Sequence, residues 1–425
     1  LKATADDWRM AHAVLVPEAG AIGQIAVIRS LGRAGYRVHA CASDPKALGL
    51  RSRYAERSTL QPPYDSPHFL AWLRDYIAAE GIAAIVPSEA FLLAVRPDFE
   101  SLVPLMPVNQ DEACVYRAFG KCDVLDAFGD GPANSGLLAH LPPFITVRDG
   151  DEVPNRGALE SLGLPIFLKT DAVHSRSGWQ SGVVRALSID EAIAAITRLR
   201  ESHSAVLVQG FVPGKRMVAD FCVWNDKIIS RSMMTARHEN PHHGGISTLR
   251  SVFWDQKVWD DAARKLHHLG WNGCAMMEYR HDPETGSFHF IEMNARYWTG
   301  LNVELLSGAD IPRVQMDAFF GRPQEAPAEP TKQVWCRYTV PGEVGYVASV
   351  LKDDSLSARR KLWSVLEFFL LTFNPRIKSD LNFPGDRSLY FIAWADFIKK
   401  MFLPQSFGRE SHGLAQRSQS THLEG

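Results

Sequence analysis

"FHFIEMNARYWTG" (residues 288–300) runs apolar and aromatic, then ends in Glu292, Asn294 and Arg296, each two positions from the next. Side chains of an extended chain alternate between faces, so these three share one face while Met293 and Ala295 take the other. The preceding run, "NGCAMMEYR" (272–280), is also apolar and carries Glu278 near its end. The polar stretch "DPETG" (282–286) between the runs predicts a turn and an antiparallel pair. Two carboxylates and an amide oxygen on neighbouring strands are hard donors. They suit Mg²⁺, with Mn²⁺ as the alternative, when nucleotide phosphates complete the coordination shell. Arg296 beside them offers a planar fork for a transferring phosphoryl group or its carboxylate acceptor. The plainer reading, edge carboxylates paired with arginines, would serve for one Glu. Four polar positions on one hairpin favour the metal and phosphate reading.

The rest of the chain bounds where such a site can sit. A length of 425 residues, 46% hydrophobic and 22% charged, is enough for a large core and two or three domains at about 150 residues each. A formal net charge of -2 supplies no basic field for nucleic acid, so an anionic ligand must be held by a local cluster. Cys41, Cys114, Cys122, Cys222, Cys274 and Cys336 are scattered without a CxxC pair, which points to free thiols and away from zinc. No charged-then-apolar leader and no run of about 18 apolar residues is present, so the expectation is a soluble, cytoplasmic protein.

The first hundred residues alternate strand and helix. "AVLV" (13–16), a turn holding Gly20 and Gly23, a helix to about Ala34 and a strand ending at Asp44 make a βαβ unit, and "IAAIV" (82–86) continues it. The turn lacks GxGxxG, which counts against an NAD-linked oxidoreductase with Asp44 on a ribose. Further on, Lys169 interrupts the apolar strand "LPIFLKTD" (164–171), where an ammonium either reaches solvent or meets a phosphate. "HSRSGWQSG" (174–182) then supplies Ser175, Ser177 and Gly178 in a hairpin tip whose hydroxyls and backbone N–H groups can fold over phosphate oxygens. A helix, the strand "AVLVQGFVPG" (205–214) and a hairpin turning at Asn225 and Asp226 lead into the 272–300 pair.

Together these segments, from about 12 to 325, resemble the ATP-grasp superfamily, closest to its predicted carboxylate-amine ligases, whose last core strand reads ExNxR followed by an aromatic pair and Gly. The resemblance implies an α/β and α+β architecture: a pre-grasp doubly wound parallel sheet over 1–110, a first lobe over 111–205 and a second lobe with the metal over 206–325. Residues 326–425 are a helical C-terminal extension outside it. By position, Lys121 and Lys169 match the phosphate-binding lysines, and 174–182 the mobile phosphate loop. Gln209, Gly210, Phe211 and Val212 match the adenine-binding linker strand. Glu278, Glu292 and Asn294 match the Mg²⁺ ligands, and Arg296 the arginine that stabilises phosphoryl transfer. The implied activity is ATP-dependent ligation of a carboxylate, through an acyl phosphate, to an amine. A catalytically silent nucleotide-binding scaffold is the alternative. Three departures stand out. Gly210 replaces a frequent Glu, no Glu accompanies Arg216, and the stretch after Lys121 is a few residues longer than usual.

Two regions remain. "RSMMTARHENPHHGGIS" (231–247) gathers Arg237 and His243 as candidate substrate contacts, with Arg237 able to clamp a carboxylate. "LWSVLEFFLLTF" (362–373) and "SLYFIAWADFIKKMF" (388–402) are aromatic-rich, too short to span a bilayer and flanked by Arg359, Arg360, Lys361, Lys399 and Lys400. Packing on the body, a homodimer contact and attachment to the inner face of a membrane are the readings for them. Residues 408–425 have the polar composition of a disordered tail.

Overall fold

The computed structural model describes residues 7–132 and 135–402, so the polar tail expected at 408–425 lies outside the described residues. The strands are β1 (Ala13–Val16), β2 (Arg37–Ala42), β3 (Arg57–Leu60), β4 (Ile82–Ile85), β5 (Phe144–Arg148), β6 (Ile166–Thr170), β7 (Gly182–Ala186) and β8 (Ala205–Gly210). They continue with β9 (Lys215–Trp224), β10 (Lys227–Asn240), β11 (Ile246–Val252), β12 (Gly273–His281), β13 (Phe288–Asn294), β14 (Trp335–Arg337) and β15 (Ile377–Ser379).

Three sheets result. The first, in the order β3-β2-β1-β4, is wholly parallel. Its central strand obeys the period of two: Ala13 and Leu15 enter one core, while Val14 and Val16 enter the other. The helix Ile22–Ala34 follows β1 and ends at Gly35, whose φ of 97° closes the helix in the left-handed conformation. Gly23 in this helix serves packing. A Cβ there would lie 2.6 Å from the Trp298 carbonyl oxygen, so glycine lets the helix dock on the segment after β13. That contact gives the glycine turn a purpose other than a pyrophosphate.

The second sheet, in the order β5-β8-β6-β7, is antiparallel and backed by the helix Ile189–Ser202, whose Ser188 cap accepts the Glu191 N–H. Ile166 and Leu168 face that helix with Val206 and Val208, which leaves Lys169 on the other face. The third sheet, in the order β13-β12-β9-β10-β11-β14-β15, is the largest. β9 and β10 form the hairpin expected at Asn225 and Asp226, both at positive φ (49° and 59°). β14 and β15 come from beyond residue 325, so the C-terminal segment contributes strands as well as helices. The helices Ala358–Phe373 and Ser388–Phe402 close the described chain.

Candidate functional site

The paired strands β12 and β13 define the site. Met277 lies opposite Met293 in the core, and one step along Glu278 lies opposite Glu292 on the other face. The ladder slips between Glu278 and Tyr279, a bulge that locally bends the strand and re-aims its side chains. Like charges facing each other across a ladder are destabilising, so this pair needs cations around it. They come from three directions. Arg216 of β9 pairs with Glu278, whose side chain is only 3% exposed. Lys121, at the start of the helix Lys121–Gly129, approaches Glu292 at 3.9 Å. Lys169 of β6 acts on both carboxylates, and its ammonium donates to Gln209 Oε1 at 2.7 Å.

The titration behaviour follows from this crowding. Burial pushes the Glu292 carboxyl up, but Lys121, Lys169 and Arg216, with the Asn294 amide, overrule it and hold it at about 2. Glu278, more deeply buried, is raised by that burial against the pull of Arg216, and Glu292 raises it further. Burial lowers the Lys169 ammonium to about 8 despite the attraction of Glu292 and Glu278. For Lys121 burial also works downward, yet Glu292, Asp171 and Glu89 win and its value is raised. The cluster is thus one set of mutually interacting charges gathered from the helix Lys121–Gly129 and from β6, β9, β12 and β13.

Asn294 and Arg296 extend it. The Asn294 amide donates to Glu292 Oε1 at 3.2 Å and accepts from Arg296 Nη2 at 3.1 Å. Arg296 Nε donates to Glu89 Oε2 at 3.2 Å. Glu89 opens the helix Glu89–Val95 just past β4, at the carboxyl ends of the parallel strands, where open α/β sheets bind ligands. A narrow cleft lined by Val86, Pro87, Cys274, Arg296, Tyr297 and Gln315 lies there. Glu18, just past β1, is raised by burial, against a Ser88 hydrogen bond and the Arg296 charge. A second small cleft is lined by Phe119, Lys121, Phe290 and Glu292.

The remaining expected residues fall as follows. Ser175, Ser177 and Gly178 form the tip between β6 and β7; Ser177 and Gly178 are exposed, and Gly178 takes a φ of 65°. Gln209 and Gly210 end β8, and Phe211 and Val212 begin the linker to β9, with the Phe211 ring 53% exposed. Gly210 has a steric reason: a Cβ there would lie 2.2 Å from the Leu162 carbonyl oxygen, which excludes any side chain. Arg237 is drawn elsewhere, to an ion pair with Glu367 in the helix Ala358–Phe373, so the carboxylate it clamps belongs to this chain. His243 sits in the β10–β11 turn with its ring edge-on to His242 at 5.1 Å. This turn does touch the cluster, since Arg216 donates to the Gly245 carbonyl and the Gly245 N–H donates to Glu239 at 3.3 Å.

Sequence reasoning noted Arg216 only for the missing Glu beside it, and missed Arg280, Glu239, Glu89 and Asp171. Arg280 forks onto Glu239 at 2.9 and 3.0 Å, and Asp171 accepts the Lys121 N–H at 2.9 Å. For Arg280 a signal existed, because it lies two positions beyond Glu278. Arg216 is placed only by the pairing of β9 with β12, which sets it opposite Arg280. Among the described residues no three His, Cys, Asp or Glu side chains converge as a protein-only metal cage. The donor set fits Mg²⁺ nonetheless: it is all oxygen, and this ion commonly takes one or two carboxylates and leaves the rest of its shell to phosphate and water.

The fold has counterparts among solved structures. N5-carboxyaminoimidazole ribonucleotide synthetase from Thermus thermophilus matches with a TM-score of 0.55 and 19% identity, over 76% of this chain and 81% of that one. The biotin carboxylase–β,γ-ATP complex from Campylobacter jejuni matches at 0.56 and 14%, over 74% and 72%. L-amino acid ligase from Bacillus licheniformis matches at 0.54 and 13%, over 76% and 78%. These likenesses show the ATP-grasp fold. No protein-family model matches the chain, nor does any curated protein.

Proposed function

We propose that this chain is an ATP-dependent ligase that activates a small carboxylate as an acyl phosphate and joins it to an amine, with release of ADP and phosphate. The observation that carries this reading is the facing pair Glu278 and Glu292, ringed by Lys121, Lys169 and Arg216 from separate elements. Two opposed carboxylates inside a ring of cations make a place where polyphosphate and a divalent ion can exchange charge with the side chains already there.

Each residue then has a task. Lys121 and Lys169 neutralise phosphate oxygens, and Ser175, Ser177 and Gly178 fold over them. The Gln209–Val212 backbone and the exposed Phe211 ring receive the base. Glu278, Glu292 and Asn294 would hold Mg²⁺, which when bound would offset negative charge on the phosphates. Arg296, aimed by Glu89 and Asn294, faces the substrate cleft. A carboxylate oxygen attacks the γ-phosphorus, and the bond to the β–γ bridging oxygen breaks with its electron pair leaving on ADP. The amine nitrogen then attacks the acyl carbon, the C–N bond forms, and phosphate departs as the nitrogen loses a proton.

Calorimetric titration of the native chain with ATP, with and without Mg²⁺, tests the binding step. Screening acids and amines for ADP release then tests the chemistry. Arg296→Lys keeps nucleotide binding but lowers ADP formation by about 10²–10³-fold, because a point charge replaces a planar fork at the developing charge. Failure of the native chain to bind ATP in Mg²⁺ would sink the proposal.

A further inference from the structure

The helix Ala358–Phe373 is built inside out. A surface helix normally turns its apolar stripe to the core and its polar face to water. Here Ser364 and Glu367 are the buried residues, while Leu362, Trp363, Leu366, Phe369, Leu370 and Phe373 are exposed, Phe373 by 82%. Their spacing of three and four places them along one outward stripe. Polar contacts enforce this orientation. Glu367 takes Arg237 and, at 3.4 Å, His238. Arg337 donates to Thr372 Oγ1 at 2.8 Å and to the Phe368 carbonyl at 3.0 Å. The Ser388–Phe402 helix buries Leu389 and turns Phe391 and Ile398 outward. Of sixteen exposed large apolar side chains among the described residues, nine fall between Leu351 and Ile398, so the exposure is concentrated and calls for an occupant.

Charge identifies that occupant. From 355 to 402 the chain carries Arg359, Arg360, Lys361, Arg376, Lys378, Arg387, Lys399 and Lys400 against four acids. Three of these acids are buried in ion pairs: Glu367 with Arg237, Asp380 with Arg250 and Asp386 with Arg29. That leaves Asp396, with Asp354 beside Lys361 at 3.6 Å, to offset eight cations. A second copy of this surface would bring basic flanks against basic flanks, since a two-fold contact places the same patch on both sides. No helix among the described residues is long and apolar enough to cross a membrane. An amphipathic helix with an aromatic stripe and basic ends lies in the plane of a bilayer instead. We propose that the outward stripe of Ala358–Phe373, with Phe391 and Ile398, docks on an anionic phospholipid surface. The inference stands independently of the ligase reading.

The test is co-sedimentation of the full chain with sucrose-loaded phosphatidylcholine vesicles, with and without phosphatidylglycerol, alongside light scattering of the protein alone. The chain should pellet with anionic vesicles, more weakly with neutral ones, and less as salt rises. Leu366→Ser/Phe369→Ser/Phe373→Ser should lower vesicle partitioning by about a hundredfold or more while the protein stays folded, because these side chains touch no core. Lys399→Gln/Lys400→Gln should weaken anionic binding by about fivefold per charge and leave neutral vesicles unaffected. No pelleting of the native chain, or equal pelleting of the triple-serine variant, would overturn the proposal. So would a native dimer that the triple-serine variant turns into a monomer, which would assign the face to a second copy.

Discussion

Replacing Glu292 by Gln tests the electrostatic account of the site most directly. In the folded chain the carboxyl is held at about 2 instead of its usual 4.5, because Lys121, Lys169 and Arg216 outweigh the upward push of burial. At about 1.4 kcal/mol per pH unit this represents roughly 3 kcal/mol of stability. A depressed carboxylate contributes fully above its unfolded value, near pH 4.5, and its contribution disappears as pH falls toward 2. Removing the charge also relieves Glu278, which faces Glu292 and is raised partly by it, so a net loss of about 2 kcal/mol at neutral pH is the better figure. Unfolding entropy of about 2.1 cal/mol/K per residue over 425 residues converts this to a fall in Tm of about 2 °C. Thermal unfolding followed by circular dichroism should show that difference at pH 7 and a shrinking one below about pH 4. Addition of Mg²⁺ and ATP should raise the Tm of the native chain and leave the variant nearly unmoved. A variant more stable than the native chain at pH 7, or a loss that does not change with pH, would refute the reasoning.

Lys169→Met should have the opposite signature. Burial lowers the Lys169 ammonium to about 8, below its usual 10.5, so its charge costs stability below pH 8 and the cost fades as pH rises between these values. After allowing about 1 kcal/mol for the lost hydrogen bond to Gln209, the variant gains roughly 2 kcal/mol at pH 7 in urea unfolding. It should lose at least about tenfold in ATP affinity by calorimetry, and a destabilised variant would contradict the assignment. Gly210→Ala forces a Cβ to within 2.2 Å of the Leu162 carbonyl, backbone against backbone, and should cost about 2–4 kcal/mol by the same denaturation measurement. An unchanged stability would mean that the loop bearing Leu162 gives way freely.

The segments legible in the sequence are those where local physics is one-sided. The βαβ alternation of the first sheet, the hairpin at Asn225 and Asp226, and the β12–β13 pair follow from apolar periods of two and 3.6 and from turn chemistry, all read within a few residues. Lys169 is conspicuous because an ammonium on an apolar strand has few reasons to be there. Glu292 and Asn294 are conspicuous because alternation places them on one face whatever lies opposite, and Glu278 because it closes the apolar run that pairs with them.

What tertiary structure alone decided is the identity of the partners. Arg237 looks like a clamp for a substrate carboxylate, but Glu367, 130 residues further on, occupies it. Arg216 carries no mark in its own neighbourhood and becomes the partner of Glu278 through the β9–β12 register. Glu89 meets Arg296 only because two sheets abut, and β14 and β15 join the large sheet from a segment that reads as helical. Periodicity and turn residues act over neighbouring positions and are written in the order of the chain. Ion pairing and burial depend on distance in space and on the dielectric around each group, which exist only once remote segments have packed.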